Sequence, residues 1–359
     1  MTWHGEGLPD ASEGWKIHVS CGVQSLDLVR SVVSETAATV DCAFKLAAGQ
    51  AELIAINNGD FGWNQIGKVA TIYISNSDRA NDAAALLEKR LVDIEGPIVE
   101  GDIRVSQQAP IYARWGSFFT PKHDPQRGGR VTTVDGRYQT DDRTRTQHEH
   151  LGRPAPFSYI EHRPPLEPWG DRFVPVEVIG VTRVSAIYTS IDTLVMAPCI
   201  LKVRRKYACY DSKGFDGVHR LEREYQALQI YGDLLSGPKP LGLVHERGRT
   251  ALATEMIRGT RLDHYMGQAA NRKRLATQLA RIVQMAHNQS VLIRDLRAEN
   301  IIVDDSSQIR MIDFEFVGPL ESSEFNCVTT DSHGASNLVH SFDSERRQLN
   351  HIVAETLSL

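Results

Sequence analysis

Two α+β domains in tandem are what this sequence predicts, and three observations carry that prediction. Strand-like stretches with alternating apolar and polar residues are interleaved with amphipathic helical stretches over residues 1–119. A segment rich in proline, glycine and closely mixed Arg and Asp follows over 120–175. From Val176 onward apolar strands resume and then give way to amphipathic helices. A chain of 359 residues has room for two hydrophobic cores of ordinary size.

In chain order, WKIHVSC (15–21) alternates as a strand does, with Ile17, Val19 and Cys21 on one side and Lys16, His18 and Ser20 on the other. Residues 25–40 place Leu26, Val29 and Val33 at helical spacing, and 43–57 read as a strand, a turn at Gly49-Gln50 and a second apolar segment, AELIAIN. KVATIYIS is a strand with Thr71, Tyr73 and Ser75 on one face. Residues 80–91 have helical composition, ended by Gly96-Pro97, and PIVEGDIRV and IYARWGSFF read as two more strands with Arg104 and Arg114 near their ends. The stretch 120–175 contains few residues able to form a core and reads as a long linker. Beyond it, VEVIGV, SAIYTSI and TLVMAPCILKV are strands, 215–231 is a helix with the stripe Val218, Leu221, Tyr225 and Leu228, and ALATEMIRGT is a strand entering a turn. Helices at 271–287 and 343–357 complete the chain.

Composition excludes several functions. A net charge of −5 and a pI near 6.2 leave no general basic face for phosphates of nucleic acid. The five cysteines are odd in number and scattered without paired ligand spacing, which implies reduced thiols in the cytoplasm and no zinc site. The N-terminus lacks a basic start followed by an apolar run, and no apolar stretch approaches the ~20 residues needed to cross a bilayer, so no membrane partner is expected.

The chemistry concentrates in 291–318, VLIRDLRAENIIVDDSSQIRMIDFEFVG. Asp295 and Asn300 stand five residues apart, and Asp313 follows a short pair of apolar strands turned by Asp304 to Ser307. Phosphoryl transfer needs a base for the acceptor hydroxyl, magnesium ligands and a lysine on the nucleotide phosphates. Asp295 supplies the first, Asn300 and Asp313 the second, and Lys202 on the strand CILKV the third, in the order of a bilobal kinase with an N-lobe at about 176–260 and a short C-lobe at about 261–359. ATP, or another nucleoside triphosphate, and Mg2+ are the implied cofactors. Glu222 and Glu224 flank the stripe of the intervening helix, and helical geometry leaves both open as the partner of Lys202. No G-x-G-x-x-G precedes Lys202; Gly180 stands alone.

In the first domain, Lys16, His18, Lys45, Tyr73, Arg104, Tyr112 and Arg114 fall on adjacent strand faces, with Lys68 at a strand start. That convergence suits a phosphate dianion. A phosphate that a neighbouring kinase adds can be removed by β-elimination, which needs a base at Cα and an acid at the leaving group.

The motifs GWKIHVS (14–20), AFKL (43–46), GKVATIY (67–73), GPIVEGDIR (96–104), YARWGSF (112–118), RDLRAEN and MIDFE occur in the order of the class III lanthionine synthetases, which this chain resembles over most of 14–318. The resemblance implies an N-terminal phosphoserine/phosphothreonine lyase followed by a kinase, without the cyclase that closes thioether rings. It implies His18 as general acid and Lys45 as general base, Lys68 being the alternative base, with Lys16, Lys68, Tyr73, Arg104 and Arg114 on phosphate and backbone. It favours Glu224 as the partner of Lys202. The expected substrate is a ribosomal precursor peptide with leader and core, dehydrated at Ser and Thr, with a separate cyclase or decarboxylase as a further partner. Two other readings predict different behaviour: a peptide kinase whose first domain only binds phosphopeptide, and a pseudoenzyme that recruits the precursor without turning over ATP.

Overall fold

The computed structural model describes residues 2–4, 11–119, 129–141, 151–161, 167–182, 185–211, 214–246, 248–322 and 341–358. They fall into two compact units, the first drawn from Met1–Glu167, Val181–Ser185 and Arg205–Tyr210, the second from Pro168–Gly180, Ala186–Arg204 and Asp211–Leu359. Helix and strand are mixed in both.

The first unit runs β1 (Thr2–His4), β2 (Glu13–Val19), α1 (Leu26–Thr39), β3 (Ala43–Leu46), α2 (Gln50–Asn57), β4 (Ala70–Ile74), α3 (Ser77–Arg90), β5 (Ile103–Arg104), β6 (Ile111–Ser117), β7 (Arg130–Thr132) and β8 (Tyr138–Thr140). Six of the strands form one sheet in the order β1-β3-β4-β2-β6-β5, with every pairing antiparallel. Trp15, Ile17 and Val19 of β2 are fully buried, and they share one core with Ile72 and Ile74 of β4, Val29 and Val33 of α1, and Ala80 and Leu87 of α3. Lys16 and His18 alternate with them and so lie on the opposite face. α3 starts where it does because the Asn76 side chain accepts from Arg79 N at 3.0 Å. The apolar run AELIAIN is a helix, α2; Gly49 precedes it in extended backbone, and the Glu52 carboxylate accepts from Ala48 N at 2.7 Å. A run that short carries no period of its own, which is why sequence left its type open.

The second unit begins with β9 (Phe173–Val181), β10 (Ala186–Asp192), β11 (Ala197–Arg205), α4 (Gly217–Tyr231), β12 (Pro240–Glu246) and β13 (Arg249–Glu255). It continues with β14 (Gly259–Arg261), α5 (Ala269–Asn288), β15 (Val291–Leu292), β16 (Ile301–Asp304), β17 (Ile309–Met311), β18 (Gly318–Pro319) and α6 (Phe342–Ser358). Its five-stranded sheet has the order β12-β13-β11-β10-β9. Asp216 caps α4 by accepting from Val218 N at 3.0 Å and His219 N at 3.1 Å, and Leu221 and Leu228 of its stripe are buried with Leu279 and Val283 of α5, Phe314 and Ile352.

Where a linker is expected over 120–175, the described residues are built into the fold. β7 and β8 pair as a hairpin, and Val131, Leu151 and Phe157 are buried in the first core, Phe157 meeting Trp15 edge to face at 5.0 Å between centroids. Trp169 and Phe173 are buried against the second sheet. These apolar residues are sparse and separated by charge, so composition alone reads the stretch as solvated. The remaining residues of that stretch, 120–128, 142–150 and 162–166, lie outside the described ones.

Candidate functional sites

In the first unit, strand register builds one row from Lys45 through Thr71, His18 and Tyr112 to Arg104, and a second from Tyr73 through Lys16 to Arg114. Directly opposed residues of an antiparallel sheet share a face, so the polar set converges there, opposite the side that carries Trp15 and Ile17. Lys68 joins it from the loop before β4. Gly67 has φ +83° and an added Cβ would crowd Pro97 O, so only glycine lets the chain turn closely enough to bring Lys68 in.

Two buried carboxylates organise this face. Asp102 Oδ2 lies 2.5 Å from His18 Nδ1, and its Oδ1 accepts from Lys68 Nζ at 3.3 Å. Asp141 accepts from Arg114 Nη2 and from Ser117 N, and lies 3.8 Å from Lys16 Nζ. Lys45 Nζ stands 5.9 Å from the centroid of the Tyr73 ring. Burial pushes the His18 imidazole down to about 3 against the attraction of Asp102, with Lys68 and Lys16 adding to the lowering. Burial acts to raise Asp102, but Lys68, His18 and Arg114 hold it well below the usual carboxylate range. Among the described residues, Lys16, Lys68 and Arg114 outnumber Asp102 and Asp141, a balance that suits an oxyanion, and Lys45 stands beside them.

Arg104 is held by the protein's own groups. Its backbone closes the first row, but its guanidinium donates to Ser106 O at 2.9 Å and Gln107 O at 3.3 Å and lies 3.9 Å from Glu161. Arg114 is not at a strand end but in the middle of β6, 2% exposed. Asp102 and Asp141 are not singled out by sequence, although a buried aspartate beside a glycine in GPIVEGDIR is the trace that Asp102 leaves.

In the second unit, Lys202 on β11 bridges Glu224 Oε2 at 2.7 Å and Asp313 Oδ1 at 2.9 Å. The choice that helical geometry left open is settled by burial: the Glu224 side chain is 6% exposed and meets Lys202, whereas Glu222 is 37% exposed and lies 3.8 Å from His245. Burial acts to lower Lys202, yet Asp313 and Glu224 raise it, keeping it charged. Asn300 Nδ2 donates to Asp295 Oδ2 at 2.8 Å and to Asp295 O at 3.2 Å, tying the two ends of the loop. Burial, and then the charge of Asp313, raises Asp295.

Support comes from residues the sequence does not single out. The buried Glu345 of α6 accepts from Arg294 N at 2.6 Å and lies 2.8 Å from His287 Nε2. The Arg294 guanidinium donates to Phe316 O, Gly318 O and Pro319 O. Glu315 is ion-paired with Arg204 and Arg220. Carboxylate oxygens of Glu224, Asp313 and Glu315 lie within 4.8 Å of one another, but lysine and arginine engage Glu224 and Glu315. Asp313 is one-third exposed and repels Asp295, a field that a hard divalent cation on oxygen donors relieves, so the donor set fits magnesium at Asp313 and Asn300.

Residues 1–163 match the family model of the RamC N-terminal domain, and residues 235–345 match that of the protein kinase domain. The first match spans all of the first-unit site, including Asp102 and Asp141; the second spans Asp295, Asn300 and Asp313, with Lys202 and Glu224 preceding it. The two in this order match an architecture like that of the class III lanthipeptide synthetases. No curated protein matched the chain. Among the described residues no helix is long and apolar enough to cross a membrane.

Proposed function

We propose that this chain, with a RamC-type N-terminal domain ahead of a protein kinase domain, is a bifunctional dehydratase of a ribosomally made precursor peptide, working in the cytoplasm. One observation carries the reading. A sheet face gathering the buried His18, Lys68 and Arg114 with the half-buried Lys16 and Lys45 stands in the same chain as the Lys202–Glu224–Asp313 cluster and the Asp295–Asn300 loop.

In the kinase half, Lys202, held by Glu224, meets the nucleotide phosphates, and Asp295 accepts the proton of a Ser or Thr hydroxyl while Asn300 fixes its carboxylate. Magnesium, when bound, neutralises charge on the phosphates. In the lyase half, Lys16, Lys68 and Arg114 receive the phosphorylated side chain. Lys45 takes the Cα proton, the Cα–Cβ double bond forms as the Cβ–O bond breaks, and His18 gives a proton to the departing phosphate. The His18 imidazole is neutral without phosphate, so the dianion's own charge is what draws a proton onto it. Asp102 orients His18 and Lys68.

The test is incubation of the chain with ATP, magnesium and the precursor peptide encoded beside its gene, read by mass spectrometry. The expected product is lighter by one water for each modified residue. His18→Ala and Lys45→Ala accumulate phosphopeptide, and Asp313→Ala abolishes both steps. Phosphorylated product that never loses phosphate, unaffected by Lys45→Ala, would instead establish a kinase with a phosphopeptide-binding domain.

A further inference from the structure

Glu315 stands where the Asp-Phe-Gly signature of protein kinases carries glycine. Its side chain is 3% exposed and both of its oxygens are taken, Oε2 by Arg204 Nη2 at 2.5 Å and Oε1 by Arg220. Arg204 is two residues along β11 from Lys202, and therefore on the same face of the strand. Arg220 is four residues before Glu224 on α4, and therefore on the same face of the helix. Three elements meet at this one carboxylate: the strand of Lys202, the helix of Glu224 and the segment of Asp313.

The arrangement alternates three carboxylates, Glu224, Asp313 and Glu315, with three cations, Lys202, Arg204 and Arg220. A displacement of α4 away from β11 would part Arg220 from Glu315, or else draw Glu315 off the fully buried Arg204, and either separation is costly in a desolvated setting. Downstream, the segment after Glu315 is anchored by Arg294 through three main-chain carbonyls, so its guanidinium is already committed. We infer that Glu315 is a positioning residue whose paired arginines lock α4 onto β11 and so keep Lys202, Glu224 and Asp313 assembled. The inference rests on the kinase reading of the second unit.

Arg220→Met, Arg220→Lys and Glu315→Gln in the full chain test it, by ATP turnover with the precursor peptide and by hydrogen exchange over Gly217–Tyr231. Arg220 is 14% exposed, and Glu315 keeps Arg204 as a partner when Arg220 is substituted. Arg220→Met is expected to lower kcat by about tenfold, with peptide KM changed by less than about twofold. Exchange over the helix is expected to speed up, and Arg220→Lys to restore most of both. Unchanged exchange over Gly217–Tyr231 in Arg220→Met and Glu315→Gln overturns the inference, as does a kcat loss that Arg220→Lys does not relieve. A wild-type chain that turns over no ATP defeats the kinase reading alone, and the exchange comparison then decides the positioning role by itself.

Discussion

His18 shows how burial sets both chemistry and stability at a single residue. An imidazole held at about 3 stays neutral in the fold while the unfolded chain protonates it near ~6.5. Unfolding therefore takes up a proton below that value, so the stabilisation is whole above about pH 6.5 and falls by roughly 1.4 kcal/mol per pH unit as the pH drops toward 3. Denaturant unfolding at pH 7 and pH 5 should show this loss in the wild type and a flatter dependence in His18→Gln; equal slopes would refute it. The side of the sheet on which His18 lies was legible from the alternation in WKIHVSC. Its partner was not, because Asp102 lies 84 residues away and reaches it only through strand pairing. Asp141 was hidden differently, in a charged stretch that composition reads as solvated.

Among elements, α6 is the one whose contribution to the site is least visible in sequence. It reads as a terminal amphipathic helix, yet its Glu345 reaches back to Arg294 N, the residue before Asp295, and to His287 of α5. Glu345→Ala leaves a buried amide and a buried imidazole without their acceptor, at a cost of about 2–4 kcal/mol. The expected result is a lower thermal midpoint together with reduced phosphorylation below it, and Glu345→Gln, which keeps one acceptor, should lie between. A thermal midpoint equal to wild type in Glu345→Ala would show that α6 does not hold the catalytic loop. The helices α4 and α5 were legible because their stripes keep a 3.6-residue period over four turns or more. β12 and the β7–β8 hairpin were not, since their residues are mostly half-buried or exposed and show no contrast between faces.

At the scale of the whole molecule, the two sites, one in each unit, differ in how sequence betrays them. Asp295, Asn300 and Asp313 lie within one short stretch at spacings that chemistry requires, whereas the first-unit cluster is assembled from five separate strands and loops. Alternation along adjacent strands gathers Lys16, His18, Lys45, Tyr73, Arg104 and Arg114 from sequence, but their separate roles come only from the resemblance in the order of motifs. The charge on that face also has a consequence for turnover. On the proposed lyase reading, a face that receives phosphate attached to a peptide also holds phosphate that has been set free, because the charges of Lys16, Lys68 and Arg114 do not distinguish the ester from the ion. Inorganic phosphate is therefore expected to compete with phosphopeptide, raising its apparent KM without changing kcat for elimination, and to do so less at high ionic strength. An elimination rate indifferent to added phosphate would contradict this. In a working cell, the pace of such a catalyst would be governed as much by how fast its by-product drains away as by how fast the double bond forms.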